Sequence, residues 1–109
     1  MATDAITKRN WGHYDVIRDY RGCKLKELVV EPGNSLSYQR HFHRAEIWYV
    51  RAGSGQILLD GELLELPQGH TQFIPVGAWH KLINNTALPL HIIEIQHGTV
   101  CEEEDIERQ

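Results

Sequence analysis

Apolar and polar residues alternate in short runs along this chain, and Gly, Pro, Asn or Asp punctuates almost every run. Lys24–Val30 (KLKELVV), Glu46–Val50 (EIWYV), Gln56–Leu59, Glu62–Leu66, Thr71–Pro75, Trp79–Ile83 and Leu90–Gln96 (LHIIEIQ) have the length and residue content of strands. Tyr14–Ile17 and Leu36–Phe42 add two further strands. Asp60-Gly61, between two apolar runs, predicts a two-residue hairpin with a type I′ turn, because both residue types tolerate positive φ. The body shows no helical period. Many short strands joined by turns predict an all-β domain, an antiparallel sandwich or a barrel. Residues 1–10 are expected to be a flexible terminus, 11–98 the barrel, and 99–109 an acidic tail that forms a short helix or frayed coil.

At 109 residues the chain is expected to form one domain with a real core. A hydrophobic content of 41% and a charged content of 24% are those of an ordinary globular protein. The net charge of −4, without any Lys/Arg run, argues against nucleic acid. It leaves room for a small anionic substrate, because local Arg and Lys can override a weak global field. No stretch approaches a membrane span, and the polar N-terminus MATDAITKRN does not read as a signal peptide, so a cytoplasmic protein is expected. Cys23 and Cys101 have no metal-type spacing and are expected as reduced thiols. Barrel edges and an apolar first strand suggest a homodimer.

The candidate chemistry lies in two stretches, Gly33–Gly53 and Gly69–Asn84. Gln39 and His41 are alternate strand residues and share a face. Glu46 opens the next strand after a short connection, on the face that also carries Trp48 and Val50. His80 follows the bend IPVGAW. Converging from three strands, these four side chains would offer the nitrogen and oxygen donors that a divalent transition metal accepts. An unpartnered buried carboxylate costs several kcal/mol, and each unpartnered imidazole or amide adds ~1–3 kcal/mol. A domain of this size has only ~5–15 kcal/mol of net stability. Either the groups satisfy one another (Glu46 with His41, Gln39 with His80), or the face is wet, or a cation holds them; the second stretch favours the cation.

Gly33-x5-Gln39-x-His41-x4-Glu46-x6-Gly53 resembles the first cupin motif, with Gln in place of its first His. Gly69-x5-Pro75-x-Gly77-x2-His80-x3-Asn84 resembles the second without departure. More narrowly, WGHYDV, PGNSLSYQRHFHRAEIWYV, IPVGAWHKLIN and IIEIQHG…EEDIER resemble the type II phosphomannose isomerases, over roughly Asn10 to Arg108. The resemblance implies a cupin barrel, a double-stranded β-helix or jelly roll. It also implies zinc held by Gln39, His41, Glu46 and His80, with Mn, Fe, Co or Ni also acceptable to this donor set. In bacteria such a cupin often follows a nucleotidyltransferase, so the isomerase module is expected here standing alone. The family usually continues past the EEDIER-like segment into further Asp, Tyr and Arg.

The implied activity is aldose–ketose isomerisation of mannose 6-phosphate and fructose 6-phosphate, with a metal as Lewis acid at the carbonyl. His43 and Glu94 are the candidates for the proton-transferring base. His41-x-His43 would also make a metal pair. Counting from Gly33 and back from Gly53 favours Gln39 and His41, and leaves His43 near the mouth. Arg44, Lys81 and Arg108 are the candidate phosphate contacts, with Arg40 behind them, because cationic donors suit phosphate. Strand parity turns Arg40 and Lys81 away from the cavity; Arg44, in a connection, escapes it. Glu94 and Gln96 share a face, with Glu94 assigned to the cavity. His13, His70, His91 and His97 read as structural or surface residues, and Trp48 and Trp79 as core. Two other classes fit the same motifs: a non-catalytic metal- or sugar-binding cupin, which a shortened tail would favour, and an iron-dependent cupin dioxygenase.

Overall fold

Eleven strands carry the chain: β1 Ile6–Arg9, β2 Gly12–Tyr20, β3 Cys23–Val30, β4 Gln39–Arg40, β5 Arg44–Ala52, β6 Gly55–Leu59, β7 Glu62–Leu66, β8 Thr71–Ile74, β9 His80–Ile83, β10 Leu90–Gly98 and β11 Glu107–Arg108. They come from a computed structural model that describes residues 6–109, and no helix occurs among the described residues. The strands form two sheets, ordered β1-β2-β3-β10-β5-β8 and β11-β4-β9-β6-β7, with every paired neighbour antiparallel. Leu28, Val30, Trp48, Val50 and Ile92 from the first sheet pack against Ile57, Leu66 and Leu82 from the second, so the core lies between the sheets.

The Asp60-Gly61 hairpin forms as expected: φ is 46° at Asp60 and 82° at Gly61, the sign that a type I′ turn requires at both positions. Asp60 also accepts from the Trp79 N–H at 2.9 Å, which ties this turn to the residue before β9. Trp79 is only half-buried, under the guanidinium of Arg40 at 4.9 Å and beside Tyr38, rather than in the core.

Both ends of the chain differ from the sequence expectation. Of the terminus expected to be flexible, Ile6–Arg9 is a strand that pairs with β2, while residues 1–5 lie outside the described residues. The acidic tail is neither helix nor frayed coil. Asp105 is buried, and β11 pairs with β4, so the tail runs back onto the barrel.

The inward faces of β3, β10 and β5 change character along their length, and strand register lines the change up across the sheet. Leu28, Ile92 and Val50 stand in one cross-strand row, Lys26, Glu94 and Trp48 in the next, and Gln96 and Glu46 in the row beyond. Each strand is therefore apolar towards one end of the barrel and polar towards the other. Lys26, Arg44, Glu46, Glu94 and Gln96 are all buried in that polar end. Buried polar groups of this density must be partnered, or they cost more stability than a small domain possesses. Gly98 helps to build this end. A Cβ there would sit 2.1 Å from the His43 carbonyl oxygen and 2.7 Å from the Arg44 Cα, so only glycine lets β10 lie this close to the start of β5.

Candidate metal centre

The polar end encloses a cavity of about 430 Å³ whose walls include Gln39, His41, Glu46 and His80. Gln39 and His80 are register partners on β4 and β9, in the second sheet. Glu46 faces them from β5 in the first sheet. One donor atom from each of His41, Glu46 and His80 lies within 4.8 Å of the others, close enough for one ion to touch all three.

The orientation of the two imidazoles is fixed from behind. His41 Nδ1 lies 2.7 Å from the Asp105 carbonyl oxygen, and His80 Nδ1 lies 2.9 Å from that of Ala78. A carbonyl oxygen can only accept, so in each ring Nδ1 carries the proton and Nε2 presents a lone pair to the cavity. Burial, helped by the nearby Arg44 charge, lowers the His41 pKa to about 4, and burial likewise lowers that of His80. Both rings are therefore neutral at pH 7, which is the ligating form. The His80 ring is further held edge-on by the Trp48 indole, at 5.7 Å between centroids.

This arrangement sets acceptors against acceptors. His41 Nε2 is 3.2 Å from Glu46 Oε2, and His80 Nε2 is 3.7 Å from Glu46 Oε1. Gln96 Oε1, fully buried in the same wall, has no hydrogen-bond partner. Clustered lone pairs of neutral imidazoles and a carboxylate repel one another unless a cation stands among them, and nitrogen and oxygen donors in this number suit a divalent transition ion. Gln39 lines the same cavity, and its amide nitrogen is 3.3 Å from Ser37, which leaves its carbonyl oxygen without a committed donor.

Part of the demand for positive charge is met from within. Arg44 is buried on the Glu46 face of β5 and donates from Nε and Nη2 to Glu46 Oε2, both at 3.0 Å, and from Nη2 to His41 Nε2 at 3.2 Å. Its Nη1 donates to the Glu102 carbonyl at 3.1 Å. Expected in a connection and free for phosphate, Arg44 instead opens β5 and is committed to the ligand cluster.

Glu94 lies beside the ligands. Trp48 Nε1 donates to Glu94 Oε2 at 3.0 Å and also to Glu46 Oε1 at 3.2 Å, and Gln96 Nε2 donates to Glu94 Oε1 at 2.8 Å. Burial, reinforced by the adjacent Glu46 charge, raises the Glu94 pKa to about 7. A carboxyl poised there exchanges a proton readily at neutral pH.

The remaining candidates separate by position. Arg108 lines the cavity. Lys81 does not: it alternates with buried His80 and Leu82 on β9 and points to the other side of the sheet. His43 is also outside. Its side chain is 57% exposed, and its Nδ1 is held 3.1 Å from Asp105, away from the ligands. The expectation of His43 at the mouth fails because Asp105, far away in sequence, captures it. Among the cavity residues that escaped the sequence reading are Arg9, Tyr14, Lys26 and Glu103. Lys26 had a legible signal, since it shares strand parity with Leu28 and Val30.

A model of the family described as "Mannose-6-phosphate isomerase C-terminal" matches residues 2–109. The chain is 41% identical over 100 residues to the mannose-1-phosphate guanylyltransferase of Escherichia coli K12, a match covering 92% of this chain and 21% of that protein. It thus spans about a fifth of the length of the curated relatives it matches. A double-stranded β-helix protein of unassigned function from Klebsiella pneumoniae superposes with a TM-score of 0.81 at 14% identity, covering 99% of this chain and 93% of that one. A cupin-2 domain from Rhodospirillum rubrum superposes with a TM-score of 0.77 at 16% identity, covering 89% of this chain and 64% of that one. With two facing antiparallel sheets, and a family match that runs nearly from end to end, the chain belongs to the mannose-6-phosphate isomerase C-terminal family and is built as a cupin barrel.

Proposed function

We propose that this cavity interconverts mannose 6-phosphate and fructose 6-phosphate, using a divalent ion, zinc in the first place, held by Gln39, His41, Glu46 and His80. The single observation that carries this reading is the placing of Glu94 beside a ready-made ligand cluster. A buried carboxyl with a pKa of about 7 shares the Trp48 N–H with the ligand Glu46. The family description and the relative named as a mannose-1-phosphate guanylyltransferase support a mannose phosphate as the substrate class.

Aldose–ketose isomerisation needs no oxidant. A proton leaves C2 of the aldose and returns at C1, while the hydroxyl and carbonyl exchange places. The bound ion would supply Lewis-acid stabilisation of the oxygen that gains negative charge. Glu94 takes the proton from C2 and returns it to C1; its raised pKa makes both halves of that transfer accessible near neutral pH. Trp48 and Gln96 hold the carboxylate in place through their N–H donors. Apolar walls, Leu28 and Leu82 among them, keep bulk water from that side of the reacting carbons.

The test is coupled turnover of fructose 6-phosphate by zinc-loaded protein. Activity that a chelator removes, that metal restores and that His80→Ala lacks supports the reading. Folded, metal-loaded protein without turnover ends it in favour of a non-catalytic binder, and oxygen uptake by the iron form ends it in favour of an oxygenase.

A further inference from the structure

The cavity has a second charged end that the ligand cluster does not use. Lys26 comes in from β3 and is only 4% exposed. Its ammonium lies over the Tyr14 ring, 4.2 Å from the centroid, and donates to the Glu103 carboxylate. Arg9, at the end of β1, stacks its guanidinium against the same ring at 5.3 Å. All three side chains line the cavity, as do Arg108 and Glu103. Among the described residues neither Arg9 nor Arg108 is ion-paired, and at the Tyr14 ring two cations, Lys26 and Arg9, meet one carboxylate in a chain whose net charge is −4.

Two like charges held against one aromatic ring repel each other, and a lysine this buried is desolvated. Such an arrangement is stabilised by an anion placed between the cations. Glu103 fills that role for Lys26, but from the exposed side of the contact. Its own side chain is 49% exposed and it belongs to the C-terminal tail, whereas Lys26 is fixed in a sheet. A phosphate ester brings up to two charges and three acceptor oxygens to the same donors, so it replaces a single exposed carboxylate at a gain.

We propose that Lys26 and Arg9, braced on Tyr14, seat the phosphate of the substrate, and that Glu103 occupies this seat until the phosphate displaces it. The assignment takes its ligand class, a sugar phosphate, from the isomerase reading. It places the phosphate at the Tyr14 end and the sugar carbons at the Glu94 end. Lys26 stands beside Glu94 in strand register, so one ligand can touch both.

Binding of inorganic phosphate, fructose 6-phosphate and fructose to the metal-loaded full chain, by calorimetry, decides the matter without any need for turnover. Both phosphates bind and fructose does not. Lys26→Met and Arg9→Gln each weaken phosphate binding roughly tenfold or more, the loss expected of a charged hydrogen-bonding partner. Glu103→Gln strengthens it by roughly threefold, the scale of an exposed ion pair. Arg9 and Glu103 are surface residues, so their variants stay informative if Lys26→Met fails to fold. Phosphate binding that ignores Arg9→Gln and is not improved by Glu103→Gln overturns the proposal; that is also the result expected if phosphate merely ligates the metal. If phosphate binding follows these variants while no isomerase activity exists, the seat stands and only the proposed reaction falls. Turnover with a KM unchanged in Arg9→Gln and Lys26→Met removes the seat and leaves the reaction.

Discussion

Arg44 donates from Nη2 to His41 Nε2 at 3.2 Å, and the lone pair that accepts this hydrogen bond is the one a metal ion would use. An imidazole nitrogen has one such pair, so guanidinium and ion exclude each other at His41. Loading the site therefore requires Arg44 to turn aside. With Arg44→Met, Glu46 loses its buried partner, and breaking a buried ion pair from one side costs about 3–5 kcal/mol. The chelator-treated variant should melt well below the wild type. Zinc should then stabilise it by more than it does the wild type and bind at least roughly tenfold tighter, because a buried like charge has gone. Competition against a chromophoric chelator measures this, and unchanged zinc affinity would show that Arg44 does not contest the site.

His80 and His43 give opposite predictions. His80→Ala removes an inward Nε2 and should abolish stoichiometric zinc binding while leaving the strand content, read by circular dichroism, as it was. His43→Ala should keep one zinc per chain, since the His43 ring is exposed and bonded to Asp105. Metal analysis of the two purified variants separates them. Loss of zinc from His43→Ala would mean that the ligands are counted two residues wrong, with His41 and His43 in the places given to Gln39 and His41.

What the sequence displayed was periodicity, and what it hid was pairing over distance. Alternation on single strands was enough to put Gln39 with His41, Glu46 with Trp48 and Val50, and Glu94 with Gln96. The same alternation would have turned Lys26 inward with Leu28 and Val30, had its charge not disguised it as a solvent-facing residue. Arg44 was misplaced because the start of β5 depends on Gly98, where an added Cβ would fall 2.7 Å from the Arg44 Cα, a close approach across 54 residues that no local pattern reports. The tail was illegible for the same reason. Its run of acids reads as solvated, yet Asp105 is buried and receives the N–H groups of Phe42 and His43 at 3.1 and 3.0 Å.

That tail contact predicts a role for Asp105 in holding a ligand it never touches the metal beside. The Asp105 carboxylate fixes the backbone at Phe42 and His43, while its carbonyl orients the His41 ring. Burial works against its ionisation, but hydrogen bonds from the Phe42 and His43 N–H groups and the His43 ring hold its pKa below the usual aspartate value. A depressed carboxylate stabilises the fold above the unfolded-state pKa, and that contribution is lost as pH falls through the folded one. Asp105→Asn should remove this acid-dependent loss and weaken zinc binding by about 10–100-fold, the usual effect of disturbing a group that orients a ligand. Zinc titration of the variant, with urea melts from neutral to acid pH, tests both halves; wild-type affinity would mean that the tail does not orient His41.

Glu94 gives the sharpest pH test. Its pKa rises from 4.5 to about 7 through burial and then through Glu46, so the folded state holds a proton that the unfolded chain has already released over that interval. A raised carboxyl contributes most below about pH 4.5, and its contribution fades as pH climbs towards 7, by about 3 kcal/mol in all. His41, lowered to about 4, acts in the opposite sense over nearly the same range, because the unfolded chain there takes up a proton that the buried ring refuses. The two slopes oppose each other in the wild type, with the lowered His80 acting on the His41 side. Glu94→Gln should expose the His41 limb: in chelator, its stability rises from pH 4 towards 6.5, where that of the wild type stays flatter. The difference between the two proteins in urea unfolding, plotted against pH, isolates Glu94. If Glu94 also moves the substrate proton, wild-type kcat/KM rises with pH as Glu94 ionises and levels off only above its pKa, which a bound cation holds lower than in the metal-free protein, and Glu94→Gln loses about 10²–10⁴-fold on that plateau. A variant that shifts the stability curve yet keeps its turnover would leave Glu94 as a buried titrating residue and send the search for the base elsewhere in the cavity wall.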